Sequence, residues 1–192
     1  MEISLVRHGE SRLLENHKIT FAEFNKWVEK YNVTGVFEQS TYPELTIEKV
    51  ETANFVVTSD LERSIVSANL LNPNVKIFSD SVFREAEMPA NLTIISKVKL
   101  KPTSWAVLLR LLWLSGYSNK CESLSQAKLR AKKATQQLIS YANDHNSIVL
   151  VGHGYFNILI AKELKRMGWE GKSKANTKHW KCSTFSLQLT NQ

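Results

Sequence analysis

Short apolar segments that alternate with helical segments are the feature that most constrains the fold of this 192-residue chain. Three of these apolar runs, at 3–6, 55–58 and 148–151, are four residues long and rich in Val and Ile. Short runs that are apolar on both faces are typical of strands buried inside a parallel sheet. A short run at 75–78 and an alternating polar and apolar run at 184–189 predict two further strands. The order of the segments predicts an α/β layered fold with a largely parallel sheet.

Amphipathic spacing predicts the helices that separate these strands. Phe21, Phe24, Val28 and Tyr31 recur at helical spacing, and Ser59 and Asp60 are suited to cap a helix that follows the second strand. A long helix is predicted over 123–142, a turn at 143–146, and a last helix from 154 to about 167. The most apolar stretch, 105–114, falls short of the ~20 residues that cross a bilayer and predicts a buried helix.

The length of the chain suits one domain over residues 1–192. Residues 88–122 carry little periodic pattern outside 105–114, and they predict an insertion that forms a lid over one end of the sheet. The acidic start lacks the long apolar core of a signal peptide, and Cys121 and Cys182 form no CxxC pair. A cytoplasmic protein without a membrane partner is therefore expected, whereas the sequence makes no prediction of its oligomeric state.

Charge is distributed unevenly along the chain. Residues 1–96 contain nine Lys/Arg and fourteen Asp/Glu, a net charge of −5, while residues 97–192 contain sixteen and four, a net charge of +12. A basic half raises the question of nucleic acid as a partner. The chain lacks an aromatic and basic platform or a recognisable RNA-binding motif, so a positive approach to a small anion is the preferred interpretation.

Three of the predicted strands end in residues suited to phosphate chemistry. Arg7 and His8 follow the first strand, Ser59 follows the second with Arg63 one turn later, and His153 follows the fourth. In open α/β sheets, ligands bind beyond the carboxyl ends of the strands. Guanidinium forks match phosphate oxygens, and glycine lets backbone N–H groups approach an anion.

A reaction follows from these residue types. A neutral histidine in such a site could attack phosphorus, and a carboxylic acid from Glu85 or Glu87 could protonate the leaving oxygen. The sequence offers no carboxylate cluster for a metal ion, so neither a metal nor a cofactor is expected.

Five short blocks follow one another along the chain: LVRHGES at 5–11, TSDLERS at 58–64, FRE at 83–85, ESL at 122–124 with Arg130, and VGHG at 151–154. They resemble the signature blocks of the histidine phosphatase superfamily, also called phosphoglycerate mutase-like, in its larger and mainly cytosolic branch. The order and spacing agree from residue 3 to about residue 189.

The resemblance implies a three-layer α/β/α sandwich and a role for each matching residue. His8 would be the nucleophile that forms a phosphohistidine, and Glu85 would be the general acid. Arg7 and Arg63 would clamp the phosphoryl oxygens, with His153 completing the positive pocket. The substrate-contacting set implied in this way is Arg7, Arg63, Gly154, Ser59 and Asn16.

Two positions depart from the family pattern. The asparagine that often follows the nucleophile by six residues is replaced by Leu14, and Asn16 is the nearby substitute. Glu87 competes with Glu85 for the acid role because two residues along a strand share one face. His179 has no partner visible in the sequence and is assigned a surface or structural role. The basic residues of 128–133, Arg130 among them, are interpreted as a solvated helix face.

The leading function is a metal-independent phosphatase that hydrolyses a phosphomonoester of a small metabolite. The alternatives are a phosphohistidine or phosphoprotein phosphatase and a phosphoglycerate-type mutase. The short segment before the acid favours a phosphatase over a mutase. A different class, a catalytically weak protein that binds anions or RNA, is suggested only by the basic second half.

Overall fold

A six-stranded sheet organises the computed structural model of the chain, which describes residues 1–74, 76–92, 97–172 and 174–188. The spatial order of the strands is β3-β2-β4-β1-β6-β5. Strands β1 to β4 are mutually parallel, and β6 runs antiparallel to both β1 and β5. Their bounds are Glu2–Arg7 (β1), Phe55–Thr58 (β2), Ile77–Ser79 (β3), Ser147–Gly152 (β4), Glu170–Gly171 (β5) and Cys182–Ser186 (β6). The prediction of a mostly parallel α/β sheet is confirmed.

The described part of the chain forms six α-helices. Their bounds are Phe21–Asn32 (α1), Glu44–Glu51 (α2), Glu62–Leu71 (α3), Pro102–Leu114 (α4), Leu124–His145 (α5) and Gly154–Arg166 (α6). Of these, α5 and α6 pack on one face of the sheet and α2 and α3 on the other. Leu5 lies opposite Leu150 in the ladder, and both pack with α5 and α6. The next pair, Val6 and Val151, points to the other face and packs with α2 and α3. This alternation produces the three layers that the family resemblance implies.

Two predicted helix boundaries are wrong. Helix α5 begins after a Ser123 capping box and continues through most of the predicted 143–146 turn to His145, with Asn146 as its C-cap at φ +65°. Helix α3 begins at Glu62, and neither Ser59 nor Asp60 caps it. The Ser59 hydroxyl instead hydrogen-bonds to His153, and the Asp60 carboxylate accepts two hydrogen bonds from Arg84.

Two predicted strands are shifted. The third strand occupies Ile77–Ser79 rather than 75–78, and residue 75 lies outside the described residues. The last strand begins at Cys182 and ends at Ser186, while residue 189 also lies outside. Helix α2 and the short strand β5 were not predicted. Within the described ranges, no helix is both long and apolar enough to cross a membrane.

Helices α1 and α4 share an apolar cluster separate from the two that flank the sheet. Its buried members are Ile19, Phe21, Phe24, Trp105 and Leu109. The Trp105 indole N–H donates to the Ile19 carbonyl at 2.8 Å. The predicted lid, 88–122, therefore includes α4 and packs against α1, a partner that the sequence did not indicate; residues 93–96 of this segment lie outside the described part.

Truncating Trp105 should destabilise the α1–α4 cluster strongly, because the side chain is fully buried. Trp105→Ala is expected to lower the free energy of unfolding by about 3–5 kcal/mol. Val107→Ala, on the same helix but 62% exposed, should change it by less than about 0.5 kcal/mol. Urea denaturation of both variants measures the difference, and equal effects would contradict the assignment of Trp105 to a core.

Candidate active site

The carboxyl ends of the adjacent parallel strands β1, β4 and β2 bring His8, His153 and Arg63 to one edge of the sheet. Arg7 ends β1 and lies opposite Gly152 of β4, so the residues that follow, His8 and His153, are neighbours. Their ring centroids are 5.1 Å apart. Arg63 reaches the same place from the first turn of α3. The side chains of His8, Arg63 and His153 are almost completely buried, with at most 3% exposed.

The hydrogen bond of His8 defines which ring nitrogen is available. Its Nδ1 lies 2.7 Å from the Gly9 carbonyl oxygen. Because a carbonyl oxygen can only accept, Nδ1 carries the proton and Nε2 carries the lone pair. Burial lowers the pKa of His8 well below its usual value, and the positive charges of Arg63 and Arg7 lower it further. The imidazole is therefore neutral near pH 7, as a nitrogen nucleophile must be.

His153 is the second buried imidazole of the site. Its Nε2 lies 2.7 Å from the Ser59 hydroxyl and 3.3 Å from the Ser64 hydroxyl. Its Nδ1 is buried and has no hydrogen-bond partner in the described residues. Burial, followed by the charge of Arg63, lowers the pKa of His153 well below its usual value. Ser59, expected to contact substrate, thus orients His153 here.

The two arginines are oriented by neighbours that the sequence did not reveal. The Arg63 guanidinium lies 4.5 Å from the Tyr31 ring centroid and donates to the Asn32 side-chain oxygen at 3.1 Å. Both partners belong to the last turn of α1. Arg7 donates to the Thr177 carbonyl. Each arginine keeps a buried Nε–H that no described residue accepts, so both retain donors for an anion.

Gly154 allows the close approach of Arg7 to helix α6. A Cβ atom at Gly154 would lie 3.3 Å from the Arg7 Nε, which leaves little room for a side chain. Gly154 is also the first residue of α6, so the N-terminus of this helix, which carries a partial positive charge, lies beside Arg7.

Glu85 lies at that same helix N-terminus. Its Oε1 accepts hydrogen bonds from the backbone N–H groups of Phe156 at 2.8 Å and Ala86 at 2.9 Å. Its Oε2 accepts one from the Tyr155 N–H at 3.0 Å. Three backbone N–H groups therefore fix the carboxylate at the first turn of α6, the helix that follows His153.

Glu87 takes a different position. It is exposed, and its Oε2 accepts a hydrogen bond from the Glu122 N–H at 2.8 Å. Residues 85–90 form no strand, so the expectation that Glu85 and Glu87 share a strand face is wrong. The irregular backbone turns Glu85 toward α6 and Glu87 toward Glu122.

Arg130 supports the backbone that carries Glu85. It donates to the carbonyl oxygens of Val82 at 2.8 Å and Arg84 at 2.9 Å, and to Glu122 at 3.0 Å. Its guanidinium lies 3.9 Å from the Phe156 ring centroid. The interpretation of Arg130 as part of a solvated helix face is wrong, because the five donors of its planar head contact carbonyls and a carboxylate instead.

Arg110 supports the same backbone from helix α4. It donates to the carbonyl oxygens of Ala86 at 2.7 Å and Glu87 at 3.2 Å. Its guanidinium lies 4.9 Å from the ring centroids of both Trp113 and Tyr155. The predicted lid thereby contacts the segment that carries Glu85 and the first turn of α6.

Asn16 lies apart from the residues around His8, whereas His179 lies beside them. Asn16 is exposed in the loop between β1 and α1, and no hydrogen bond links it to the residues around His8 within the described ranges. His179 is half buried, with its ring centroid 5.4 Å from that of His8. A lone histidine before the last strand gave no signal, because its position depends on the pairing of β6 with β1.

The described part of the chain contains no group of three or more His, Cys, Asp or Glu side chains that could bind a metal ion. The side chains near His8 are instead two arginines and two further histidines, with Glu85 as the nearby carboxylate. This arrangement is chemically suited to bind an anion.

Fold and site together define a protein of the phosphoglycerate mutase-like α/β class. The sequence model of the protein family described as the histidine phosphatase superfamily (branch 1) matches residues 3–192, and the chain belongs to this family. The resemblance inferred from the five sequence blocks is thereby confirmed. No curated protein sequence matches the chain.

Solved structures share the fold at low sequence identity. The product of the Mycobacterium tuberculosis open reading frame Rv3214 has a TM-score of 0.62 and 15% identity, covering 98% of this chain and 92% of its own. A phosphoglycerate mutase from Bacillus anthracis has a TM-score of 0.61 and 14% identity, covering 98% and 91%. An Entamoeba histolytica phosphoserine phosphatase, a histidine-to-alanine mutant in complex with phosphoserine, has a TM-score of 0.52 and 14% identity, covering 97% and 91%.

The buried neutral imidazoles predict that the protein loses stability in mild acid. The unfolded chain binds protons at these histidines below a pH of about 6.5, whereas the folded chain binds them only at lower pH, so the free energy of unfolding falls as the pH falls from 6.5. Each buried histidine should contribute a slope of up to about 1.4 kcal/mol per pH unit.

Urea denaturation between pH 7.5 and 5 tests this prediction. His8→Asn should show a shallower dependence than the natural chain, because one buried titrating group is gone. Val107→Ala, which removes no titrating group from an exposed position, is the control and should leave the slope unchanged. Identical slopes for the natural chain and His8→Asn would contradict the burial of a neutral His8.

Proposed function

We propose that this protein is a metal-independent phosphatase that hydrolyses a phosphomonoester of a small metabolite through a phosphohistidine at His8. The observation that carries the proposal is the neutral His8 imidazole, protonated at Nδ1 by its bond to Gly9, between the guanidiniums of Arg7 and Arg63. A lone pair on Nε2 beside two cations suits attack on a dianionic phosphoryl group.

Arg7, Arg63 and His153 would bind the transferring phosphoryl group. The buried Nε–H groups of both arginines and Nδ1 of His153 lack partners in the described residues, and a phosphoryl group offers three oxygens to meet them. The N–H groups of the second and third residues of α6 already donate to Glu85, so this helix would favour the phosphoryl group through the partial positive charge of its N-terminus at Gly154. These groups stabilise charge on the equatorial oxygens in the transition state.

The reaction divides into two displacements. In the first, His8 Nε2 forms a bond to phosphorus while the bond from phosphorus to the ester oxygen breaks, and Glu85, as the acid, gives its proton to the departing alcohol. In the second, water attacks the phosphohistidine, the Glu85 carboxylate takes a proton from that water, and the bond between phosphorus and Nε2 breaks. Inorganic phosphate leaves, and both residues return to their starting states.

Glu85 is proposed as the acid in preference to Glu87. Its carboxylate accepts hydrogen bonds in the first turn of α6, the helix that follows His153, whereas that of Glu87 is exposed and bonded to the Glu122 backbone. The backbone of residues 82–87 is supported by Arg130 and Arg110 on its two sides, which suits a group that must act at a fixed distance from the leaving oxygen.

We further propose that residues 1–192 form one domain in which α4, with α1 beside it, caps the site. A cap favours a small substrate over a protein-bound phosphate. The names of the fold neighbours, a phosphoglycerate mutase and a phosphoserine phosphatase, are consistent with small phosphorylated acids as the substrate class. We propose a cytoplasmic location and no nucleic-acid partner, as the sequence led us to expect.

Replacement of His8 should abolish hydrolysis. His8→Ala is expected to lose all phosphohistidine-dependent turnover of p-nitrophenyl phosphate, whereas a chelator should leave the natural chain fully active. Colorimetric assays of both proteins with and without chelator provide the test. Full activity of His8→Ala, or loss of the natural activity with chelator, would exclude the proposed mechanism. Release of inorganic phosphate, compared with transfer to an added phosphoglycerate, separates hydrolysis from mutase activity.

Replacement of Glu85 should slow the hydrolysis of substrates with poor leaving groups most. Glu85→Gln is expected to slow hydrolysis of an alkyl phosphate by about 10²–10⁴-fold and that of p-nitrophenyl phosphate by much less, because nitrophenolate leaves without a proton. Glu87→Gln is the matched control and should leave both rates near those of the natural chain. The reverse pattern would assign the acid role to Glu87.

A further inference from the structure

The turn that precedes strand β6 contacts each of the three residues that follow or end strand β1. Strand β6 is antiparallel to β1, with Cys182 opposite Val6, so residues before Cys182 meet residues after Val6. The segment concerned is Thr177, Lys178, His179 and Trp180, here named the 177–180 turn. The family resemblance assigned no role to any of these four residues.

Arg7 and Gly9 are contacted by the two ends of the 177–180 turn. The Thr177 carbonyl accepts a hydrogen bond from the Arg7 guanidinium, and the Trp180 N–H donates to the Arg7 carbonyl at 3.0 Å. The indole of Trp180 covers Gly9 so closely that a Cβ there would lie 2.0 Å from a ring carbon. Any residue other than glycine would displace this ring.

His179 contacts the nucleophile itself. Its Nδ1–H donates to the His8 carbonyl at 2.8 Å, and the next N–H along the chain, that of Gly9, donates to the Ser67 hydroxyl at 2.9 Å. The peptide unit that joins His8 to Gly9 is therefore fixed at both its oxygen and its nitrogen. The carbonyl that follows it, that of Gly9, accepts the Nδ1–H of His8.

The backbone of the 177–180 turn is itself strained and supported. Trp180 has φ +63°, in the left-handed region that a bulky side chain rarely adopts. Its ring is buried, 4.8 Å from that of Tyr42, and its carbonyl accepts a hydrogen bond from Thr46 at 2.7 Å. Strain of this kind persists only where the surroundings determine the conformation, and it is typical of functional sites.

We infer that the 177–180 turn positions the nucleophile, and that His179 is the positioning residue that keeps Nε2 of His8 free by fixing the peptide unit beneath it. The inference rests on the proposed function only for its kinetic consequence. Its structural consequence is a single tautomer of His8, with the proton on Nδ1, whether or not the protein is an enzyme.

Two variants of His179 separate positioning from packing. In His179→Asn the side-chain amide can replace the Nδ1–H donor, whereas His179→Leu fills similar volume without a donor. His179→Leu should slow the formation of acid-labile phosphate on His8 by about tenfold or more with little change in KM, since small misplacement of a reacting group costs up to about 10²-fold. His179→Asn should stay within about threefold of the natural chain. His17→Leu, at an exposed site, is the control.

Nitrogen-15 NMR of the His8 ring tests the structural consequence without substrate. The natural chain and His179→Asn should show the Nδ1–H tautomer, and His179→Leu should show a mixture with the Nε2–H tautomer. Ser67→Ala removes the acceptor of the Gly9 N–H and so releases the nitrogen end of the same peptide unit. It should produce the same mixture of tautomers. This variant takes the place of His179→Leu if His179→Leu does not fold.

The outcomes distinguish this inference from the proposed function. Natural rates in His179→Leu, or equal slowing in His179→Leu and His179→Asn, would overturn the positioning role while leaving the phosphatase intact. If the natural chain traps no phosphate on His8, the proposed function fails and the NMR comparison decides the inference. If His8 keeps the Nδ1–H tautomer in both His179→Leu and Ser67→Ala, the positioning role of His179 is overturned. A mixture with the Nε2–H tautomer supports that role.

Discussion

The parallel pairing of β1, β4 and β2 is the constraint on which the rest of the site depends. The register places Arg7 opposite Gly152 and Thr58 opposite Val151, so the residues after all three strands emerge at one level. A shift of one residue in β1 would exchange its two buried faces and turn His8 away from His153. The apolar side chains of these strands, packed against helices on both faces, make such a shift costly.

The buried guanidinium of Arg63 lies at that level, with Arg7 and the carboxylate of Glu85 near it. Burial lowers the pKa of the Arg63 guanidinium, and the nearby Arg7 opposes its charge further, while Tyr31 and Glu85 favour it. Desolvation of a cation opposes folding unless partners offset it. A bound dianion would supply that partner and would stabilise the folded chain by mass action. The composition of the site therefore couples its stability to its occupancy.

Local sequence patterns predicted the parts of the site that depend on a strand and the few residues after it. His8, Arg63 and His153 could be placed because each follows a recognisable strand or begins the next helix, and parallel strands share an edge. The three-layer fold followed from the same alternation. The family blocks then connected these positions to a known class of protein.

Contacts between distant segments could not be predicted in this way. Arg130 is one of several basic residues on α5, and only the irregular path of residues 82–87 reveals why it is half buried. Asn32 contacts Arg63 because α1 ends beside α3. His179 reaches His8 because β6 runs antiparallel to β1, and a single sequence does not encode that pairing in any local pattern.

The place of β1 in the sheet has a consequence for how the chain assembles during synthesis. Both neighbours of β1, the strands β4 and β6, come from residues 147–186, although β1 precedes every other strand of this sheet along the chain. His8 therefore leaves the ribosome long before the strands that surround it. Contacts this distant in sequence slow folding and leave an apolar strand exposed meanwhile. The part of the sheet that holds His8 is therefore among the last parts of the molecule that can form.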